Sequence, residues 1–473
     1  MGKCSKLRKK RKREAELQAV EASADEEDSD GCCTQEEMSV CIRVLTSLND
    51  RPDVLFSKEF KPLRTVLHPL FATLQKKPVE SKTDICKISE ALQGGRNGEA
   101  LLLLEVLRRS GKPPRLGSIM RWVREVAAPP DLSDTDADKL RLLDAVLRVA
   151  ARVGDEGQPA PEAPAATDRP MVLRLPDFLP RPAESQRGPG NIAFNKAGLH
   201  FAKSHFRLLP HKMGQQRLWG TAGVLQELKI FACKAGTYQF ASPAPRTVRV
   251  EVPDVPGAFV LNDVLTIAEC QQFRRAAAVA GYTADKAVPT GGEIDGGGGK
   301  YDTEGLAQLE WLVDGSIMDP IWERIGKLLP QELGGGRVMG LNARWRFFKY
   351  SEGSVYRPHV DGAWPGSGLI DGEYVFDAFQ DRWSRLTCLF YLNEDFDGGS
   401  TTFYTPSVST LGVIEARGVK PRTGSVLFFP HGDTAGALVH EGGLVLTGEK
   451  SVIRTEVLYS KPPARGVKRG RDE

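Results

Sequence analysis

The stretch Trp345-Arg-Phe-Phe-Lys-Tyr350, followed by Ser351–Gly353 and then His359-Val-Asp361, constrains the fold more than any other part of the chain. The aromatic run reads as a strand, Ser-Glu-Gly as a turn, and the residues beyond it as a returning strand. On a strand, side chains at i and i+2 point to the same side. His359 and Asp361 therefore aim an imidazole and a carboxylate at one point. Two histidines and one carboxylate on one face, with the opposite positions open, form the donor set of a non-haem ferrous site. The rest of the chain has to supply a β-rich frame and the second histidine.

The C-terminal half reads as such a frame. Thr247-Val-Arg-Val-Glu-Val alternates as a strand, and Thr266-Ile-Ala-Glu269 is a capping box opening a helix to about Ala280. A second amphipathic helix covers Asp319–Leu329, and the glycine cluster Gly296–Gly299 reads as a loop. Beyond residue 338, short β-rich stretches punctuated by Gly, Pro, Asn and Asp predict an antiparallel sandwich or barrel.

The N-terminal half has a different texture. Residues 1–35 carry the basic block Lys6–Arg13 and the acidic run Asp25–Asp28, the composition of a solvated tail. Residues 36–155 place apolar side chains at helical spacing in Met38–Leu48, Leu63–Leu74, Ile85–Leu92, Ala100–Leu107 and Leu140–Val153. One helical hairpin around Gly94-Gly95 resembles a single unit of a pentatricopeptide-type repeat. Such units need several copies, so a small separate helical domain, one that binds a protein partner or buttresses the second half, is the expectation. Seven prolines between Pro159 and Pro182 predict a linker over 156–190, and 191–246 is left unassigned. His68, His200, His205 and His211 have no companions at metal-ligand spacing and read as ordinary surface or core residues.

Composition excludes several classes. A formal charge of +3 on 473 residues commits the chain to no nucleic acid. No stretch approaches about 20 uninterrupted apolar residues and no apolar segment follows the N-terminal charges, so neither a membrane span nor a secretory signal is expected. Eight scattered cysteines without Cys-x-x-Cys pairs point to reduced thiols. The basic block favours the cytoplasm or the nucleus, and Met1-Gly2 falls short of an acylation signal because Lys6 stands where Ser or Thr is needed.

Two histidines remain for the third donor. His431 sits in the Pro/Gly turn of Phe428-Phe-Pro-His-Gly-Asp, whereas His440 ends the short strand-like run Gly436-Ala-Leu-Val-His. Fourteen residues after His440, Arg454 lies on a strand, on one face with Val452 and Glu456. A guanidinium inside a barrel needs an anion, and a dicarboxylic co-substrate offers one. His440 with Arg454 therefore completes the site, and His431 reads as a turn residue.

These residues in this order resemble the Fe(II)/2-oxoglutarate-dependent dioxygenases, and over about 256–460 the prolyl 4-hydroxylase-like catalytic domain. The match rests on Leu261-Asn-Asp-Val-Leu and its helix, Phe348-Lys-Tyr350 through His359, Arg385-Leu-Thr-Cys-Leu-Phe-Tyr-Leu-Asn, Phe396-Asp-Gly-Gly-Ser-Thr-Thr-Phe, and Gly424-Ser-Val-Leu-Phe-Phe-Pro before His440. The resemblance implies an α+β chain whose C-terminal domain, 247–462, is a double-stranded β-helix (jelly roll) with supporting helices, followed by a basic tail at 463–473. It implies Fe(2+) on His359, Asp361 and His440, with 2-oxoglutarate as co-substrate, O2 as oxidant and L-ascorbate as an auxiliary. Arg454 would anchor the far carboxylate of 2-oxoglutarate, helped by Tyr350 and Thr387. The prolyl hydroxylases often use a Lys ten residues after the distal histidine, where Lys450 stands. Arg454 is favoured because Lys450 lies nearer the strand start and is expected to face solvent. Related halogenases carry a small residue in place of the carboxylate, so Asp361 implies hydroxylation of an unactivated C–H bond. A protein, with a prolyl residue as the first candidate, is the expected substrate. Trp364 and Asn342 are candidates for a substrate groove, and 363–383 for a lid. The competing class is a non-catalytic helical scaffold carrying an inactive jelly roll.

Overall fold

The structure, a computed structural model, describes residues 83–150 (save 112–113 and 127–136), 165–182, 201–210, 217–219, 224–226, 229–284 and 306–461 (save 433 and 435), with 57–67 and positions 44, 48 and 54. The expectations for both charged tails, His68, His200, His211 and Gly296–Gly299 lie outside these residues. The chain divides into two compact units, 1–82 and 83–473. In the first, residues 61–67 are helical. Everything below concerns the second.

Its helices α1 (Asp84–Gln93), α2 (Asn97–Ser110), α3 (Leu116–Val126) and α4 (Ala137–Ala150) pack as a bundle. The Thr83 hydroxyl caps α1, accepting from Cys86 N–H, and Gly95 at φ +65° makes the turn into α2. α3 carries Ile119, Trp122, Val123 and Val126 on its buried face. That helical spacing is present in the sequence, but it follows Gly111-Lys-Pro-Pro114, which reads as the end of the helical hairpin. Trp122 is fully buried, and its indole N–H donates to Ser89 Oγ at 2.9 Å.

The β-rich half is built on two main sheets, with three two-stranded ribbons beside them among the described residues, consistent with the expected jelly roll. The smaller has five strands in the order Ala165–Phe178, Thr410–Val419, Thr401–Pro406, Val439–Gly442 and Tyr356–His359. At the centre of the larger, Arg344–Tyr350 lies between Leu306–Leu312 and Lys450–Ser460, and Arg382–Tyr391 pairs with the other side of Lys450–Ser460. Strand alternation sorts the aromatic run. Trp345 and Phe347 enter a core with Phe273 of the helix Ile267–Ala280 and Ile317, Ile321 and Ile325 of the helix Gly315–Ile325. Arg346, Phe348 and Tyr350 face the opposite way, into the space between the sheets. The first of these helices opens on the expected capping box, Thr266 with Glu269.

The helical bundle is not set apart from this barrel. α1 to α4 share one core with Val172, Tyr404, Ile414, Ala416 and Val439, on the smaller sheet. α4 also grips the turn at 407–412: Arg148 donates to Ser407 O (2.8 Å) and Thr410 O (2.9 Å), and Asp144 Oδ2 accepts from Gly412 N–H (2.9 Å). The expected separate helical domain is therefore corrected over 84–150. A sheet buries a face only against another layer, and the bundle is that layer here.

Two further boundaries change. The linker expected at 156–190 contains the edge strand Ala165–Phe178, parallel to Thr410–Val419. Its register breaks between Ala166 and Met171 and between Leu175 and Phe178, the intervals that hold Pro170 and Pro176. An edge strand tolerates proline where pairing is interrupted anyway. The unassigned 191–246 supplies Phe206–Leu208 and Ile230–Cys233 to the larger sheet.

Candidate active site

His359 and His440 are directly paired across neighbouring strands of the smaller sheet, with ring centroids 4.3 Å apart. Asp361 follows His359 just past the strand end, where its backbone carbonyl accepts from Gly432 N–H at 3.0 Å. One donor atom from each of the three lies within 4.8 Å of the others. Among the described residues this is the only cluster of three His, Cys, Asp or Glu side chains so placed.

The second nitrogens of both imidazoles are already used. His359 Nδ1–H donates to Arg357 O at 2.7 Å and His440 Nδ1–H to Leu438 O at 3.2 Å. A carbonyl can only accept, so Nδ1 carries the proton and Nε2 turns its lone pair inward. Metal-binding histidines are commonly oriented this way. Burial, then the neighbouring His359, brings His440 down to about 3, against the pull of Asp361. Burial alone would raise the Asp361 carboxyl, but Arg454, His440 and His359 together hold it well below the usual carboxylate range. The cluster thus offers two imidazole nitrogens and a carboxylate, the donor set a divalent iron takes.

The cavity beside the cluster is lined by alternate residues of two adjacent strands. Tyr350 pairs with Lys450, Phe348 with Val452, and Arg346 with Arg454. The expectation that Lys450 faces solvent is corrected: it is 2 % exposed. Its ammonium donates to Gly399 O at 2.7 Å and lies 4.9 Å from the centre of the Tyr350 ring. Burial, with Lys420 nearby, lowers it to about 7 against the pull of the Glu441 carboxylate, which among the described residues is not close enough to form an ion pair with it. Tyr350 reaches the same end of the cavity past Gly442, where an added Cβ would come within 3.2 Å of the Tyr350 Oη.

Arg454 has different neighbours. Its Nε meets Asp361 Oδ2 at 3.2 Å and its Nη1 meets Glu456 Oε1 at 3.3 Å. Burial opposes its charge, but Asp361 and Glu456 outweigh burial and keep it protonated. Its charge is thus matched within the protein, which weakens the expectation of a co-substrate anchor there.

Thr387 is also displaced from its expected role. Its buried hydroxyl sits behind the cluster, 2.7 Å from Asp361 Oδ2 and 2.7 Å from His431 Nδ1, and does not line the cavity. His431 is no turn ornament: it is fully buried, and its Nε2 lies 2.8 Å from Ser384 Oγ. Burial brings it down to about 3 against the pull of Asp361, so it is neutral.

Asn342 and Trp364 are not groove residues on the cavity side. Asn342 is buried, donating to Glu456 Oε2 (3.0 Å) and accepting from Ser367 N–H (3.1 Å). Trp364 stands edge-on to Phe376, with ring centroids 5.8 Å apart. The segment 363–383 folds as a hairpin, Gly368–Ile370 with Glu373–Val375, and its fully buried Tyr374 packs with Leu209, Ile230 and Leu312. That anchoring does not suit a lid.

The profile of the 2OG-Fe(II) oxygenase superfamily matches residues 345–455, the span from the aromatic strand to beyond Arg454. The chain carries a domain of that superfamily. The oxygenase domain is also similar to three solved structures of prolyl hydroxylases. The viral collagen prolyl hydroxylase of Paramecium bursaria Chlorella virus-1, as its 2-oxoglutarate complex, is 20 % identical, with a TM-score of 0.29 over 44 % of this chain and 99 % of that one. The Pseudomonas putida prolyl-4-hydroxylase is 17 % identical, with a TM-score of 0.27 over 45 % and 92 %. A Trichoplax adhaerens prolyl hydroxylase, solved with a hypoxia inducible factor peptide fragment, is 14 % identical, with a TM-score of 0.29 over 44 % and 84 %. No curated protein matches the chain in sequence. Among the described residues no helix is long and apolar enough to cross a membrane.

Proposed function

We propose that the oxygenase domain binds Fe(II) through His359 Nε2, Asp361 and His440 Nε2, and couples 2-oxoglutarate decarboxylation to hydroxylation of a C–H bond. The observation that carries this reading is the convergence of those donors within 4.8 Å, with both Nδ1 protons committed to backbone carbonyls. Iron bound in this donor set supplies the oxidative chemistry, turning the co-substrate into succinate and carbon dioxide while oxygen is inserted into the substrate.

The protein's own residues do the binding and orienting. Lys450 receives the far carboxylate of 2-oxoglutarate, because a buried ammonium without an ion-pair partner is the stronger anion seat. The Tyr350 hydroxyl lies at the same end of the cavity. Arg454 stays with Asp361 and Glu456, holding the metal-binding carboxylate ionised. Phe348 and Val452 form the apolar wall between the co-substrate's two ends. A prolyl residue of a protein is the substrate that the sequence resemblance favours.

The test is succinate formation by the full chain supplied with Fe(II), 2-oxoglutarate and oxygen. Wild type should release succinate slowly even without substrate, and His359→Ala should release none while melting at a similar temperature. An inert wild type would instead support the non-catalytic scaffold. Mass spectrometry of proteins captured by the inactive variant then identifies the substrate, through a +16 mass shift that depends on His359.

A further inference from the structure

We propose that His431 and Thr387 are positioning residues, which hold the Asp361 carboxylate in the orientation a bound metal needs through a hydrogen-bond relay anchored on Trp364 and Ser384. The inference rests on the metal site proposed above.

The relay runs through side chains that are fully buried: Ser384, His431 and Thr387. Ionised Asp361 can only accept, so the single proton of the Thr387 hydroxyl goes to Asp361 Oδ2, at 2.7 Å. Thr387 Oγ1 must then accept at its other contact, from His431 Nδ1–H at 2.7 Å. With its proton on Nδ1, the neutral imidazole accepts at Nε2 from the Ser384 hydroxyl, at 2.8 Å. Ser384 Oγ in turn accepts from Trp364 N–H at 2.7 Å. With Asp361 ionised, the contacts run in one direction, each hydroxyl donating once and accepting once.

Both ends are fixed by backbone. Ser384 N–H donates to Trp364 O at 2.8 Å, which closes a clamp with the Trp364 N–H bond. His431 N–H donates to Arg385 O at 3.1 Å, and Gly432 N–H donates to Asp361 O at 3.0 Å. Gly432 has φ +67°, and a Cβ there would come within 2.6 Å of the Ala363 Cβ, so the turn requires glycine.

The consequence at Asp361 is an asymmetry between its oxygens. Oδ2 receives both Thr387 and Arg454 and lies 3.7 Å from His440 Nε2, while Oδ1 receives neither and lies 3.4 Å from His359 Nε2. Oδ1 is therefore the oxygen left for a metal, in single-oxygen ligation.

Anaerobic titration of the full chain with Co(II) tests this through affinity and ligand-field spectrum, with no turnover needed. Thr387→Val, which removes the hydroxyl at nearly constant volume, should weaken Co(II) binding by about ten- to a hundredfold and shift the spectrum. Thr387→Ser should restore both. His431→Leu should resemble Thr387→Val, and His431→Asn, whose amide can still donate to Thr387, should lie closer to wild type. A Thr387→Val protein that melts like wild type and binds Co(II) with the same affinity and spectrum would overturn the relay. Failure of wild type to bind Co(II), or unchanged binding by His359→Ala, would instead refute the metal site, and the relay with it.

Discussion

Lys450 and Arg454 face one cavity from the same strand, four residues apart, and their surroundings give them different work. Lys450 near 7 makes co-substrate binding pH-dependent with a definite sign. A carboxylate partner stabilises the ammonium, so binding is strongest below the free-protein value. Above about pH 7 each bound 2-oxoglutarate must bring a proton with it, and affinity should fall by about tenfold per pH unit until the bound-state pKa is reached. Calorimetric titration across that range checks this. Lys450→Met should flatten the profile, weaken binding at neutral pH, and raise the melting temperature of the ligand-free protein, since burying an amine opposes folding. Asp361→Ala should differ from His359→Ala in stability: it strips a charged hydrogen bond from buried Arg454 and should cost about 2 kcal/mol more in chemical denaturation. The metal cluster was legible in the sequence because i, i+2 spacing and strand character decide which way His359 and Asp361 point. Depth was not legible. Strand alternation gives Lys450 a face, but the groups against its ammonium, the Gly399 carbonyl and the Tyr391 ring, come from other strands and loops. Nor was the link from Thr387 to His431, which joins strand and turn 44 residues apart.

The elements around the site show the same division between local and non-local information. The capping box at Thr266, the aromatic strand and the glycine turn after α1 are written in adjacent residues, and each forms as expected. The strand Ala165–Phe178 was hidden by its prolines, because local chemistry cannot reveal an edge partner some 240 residues away. α1, α2 and α4 read as amphipathic helices, but their spacing does not say what their apolar face meets. It meets the smaller sheet, which carries His359 and His440 on its other side. Trp122→Ala should therefore cost about 3–5 kcal/mol and be felt as a shift of the transition that also abolishes metal binding. If the bundle melted separately while the barrel kept its metal, the shared core would not be coupling them.

At the scale of the whole unit, the larger sheet is covered by the helices Ile267–Ala280 and Gly315–Ile325 and the smaller sheet by α1 to α4, leaving the site in the space between sheets. A fragment spanning 247–461 would expose Tyr404, Ile414, Ala416 and Val439 and lose the edge strand Ala165–Phe178, so it should aggregate on expression. A fragment spanning 83–461 should stay soluble and bind metal, which size-exclusion chromatography with metal analysis would show. The most direct measurement is a crystal structure of the chain grown without oxygen in the presence of Mn(II) and 2-oxoglutarate. It should show the metal on His359 Nε2, Asp361 Oδ1 and His440 Nε2, and the far carboxylate of 2-oxoglutarate on Lys450. Metal bound elsewhere, or a carboxylate seated on Arg454 with its bond to Asp361 broken, would contradict the proposed site.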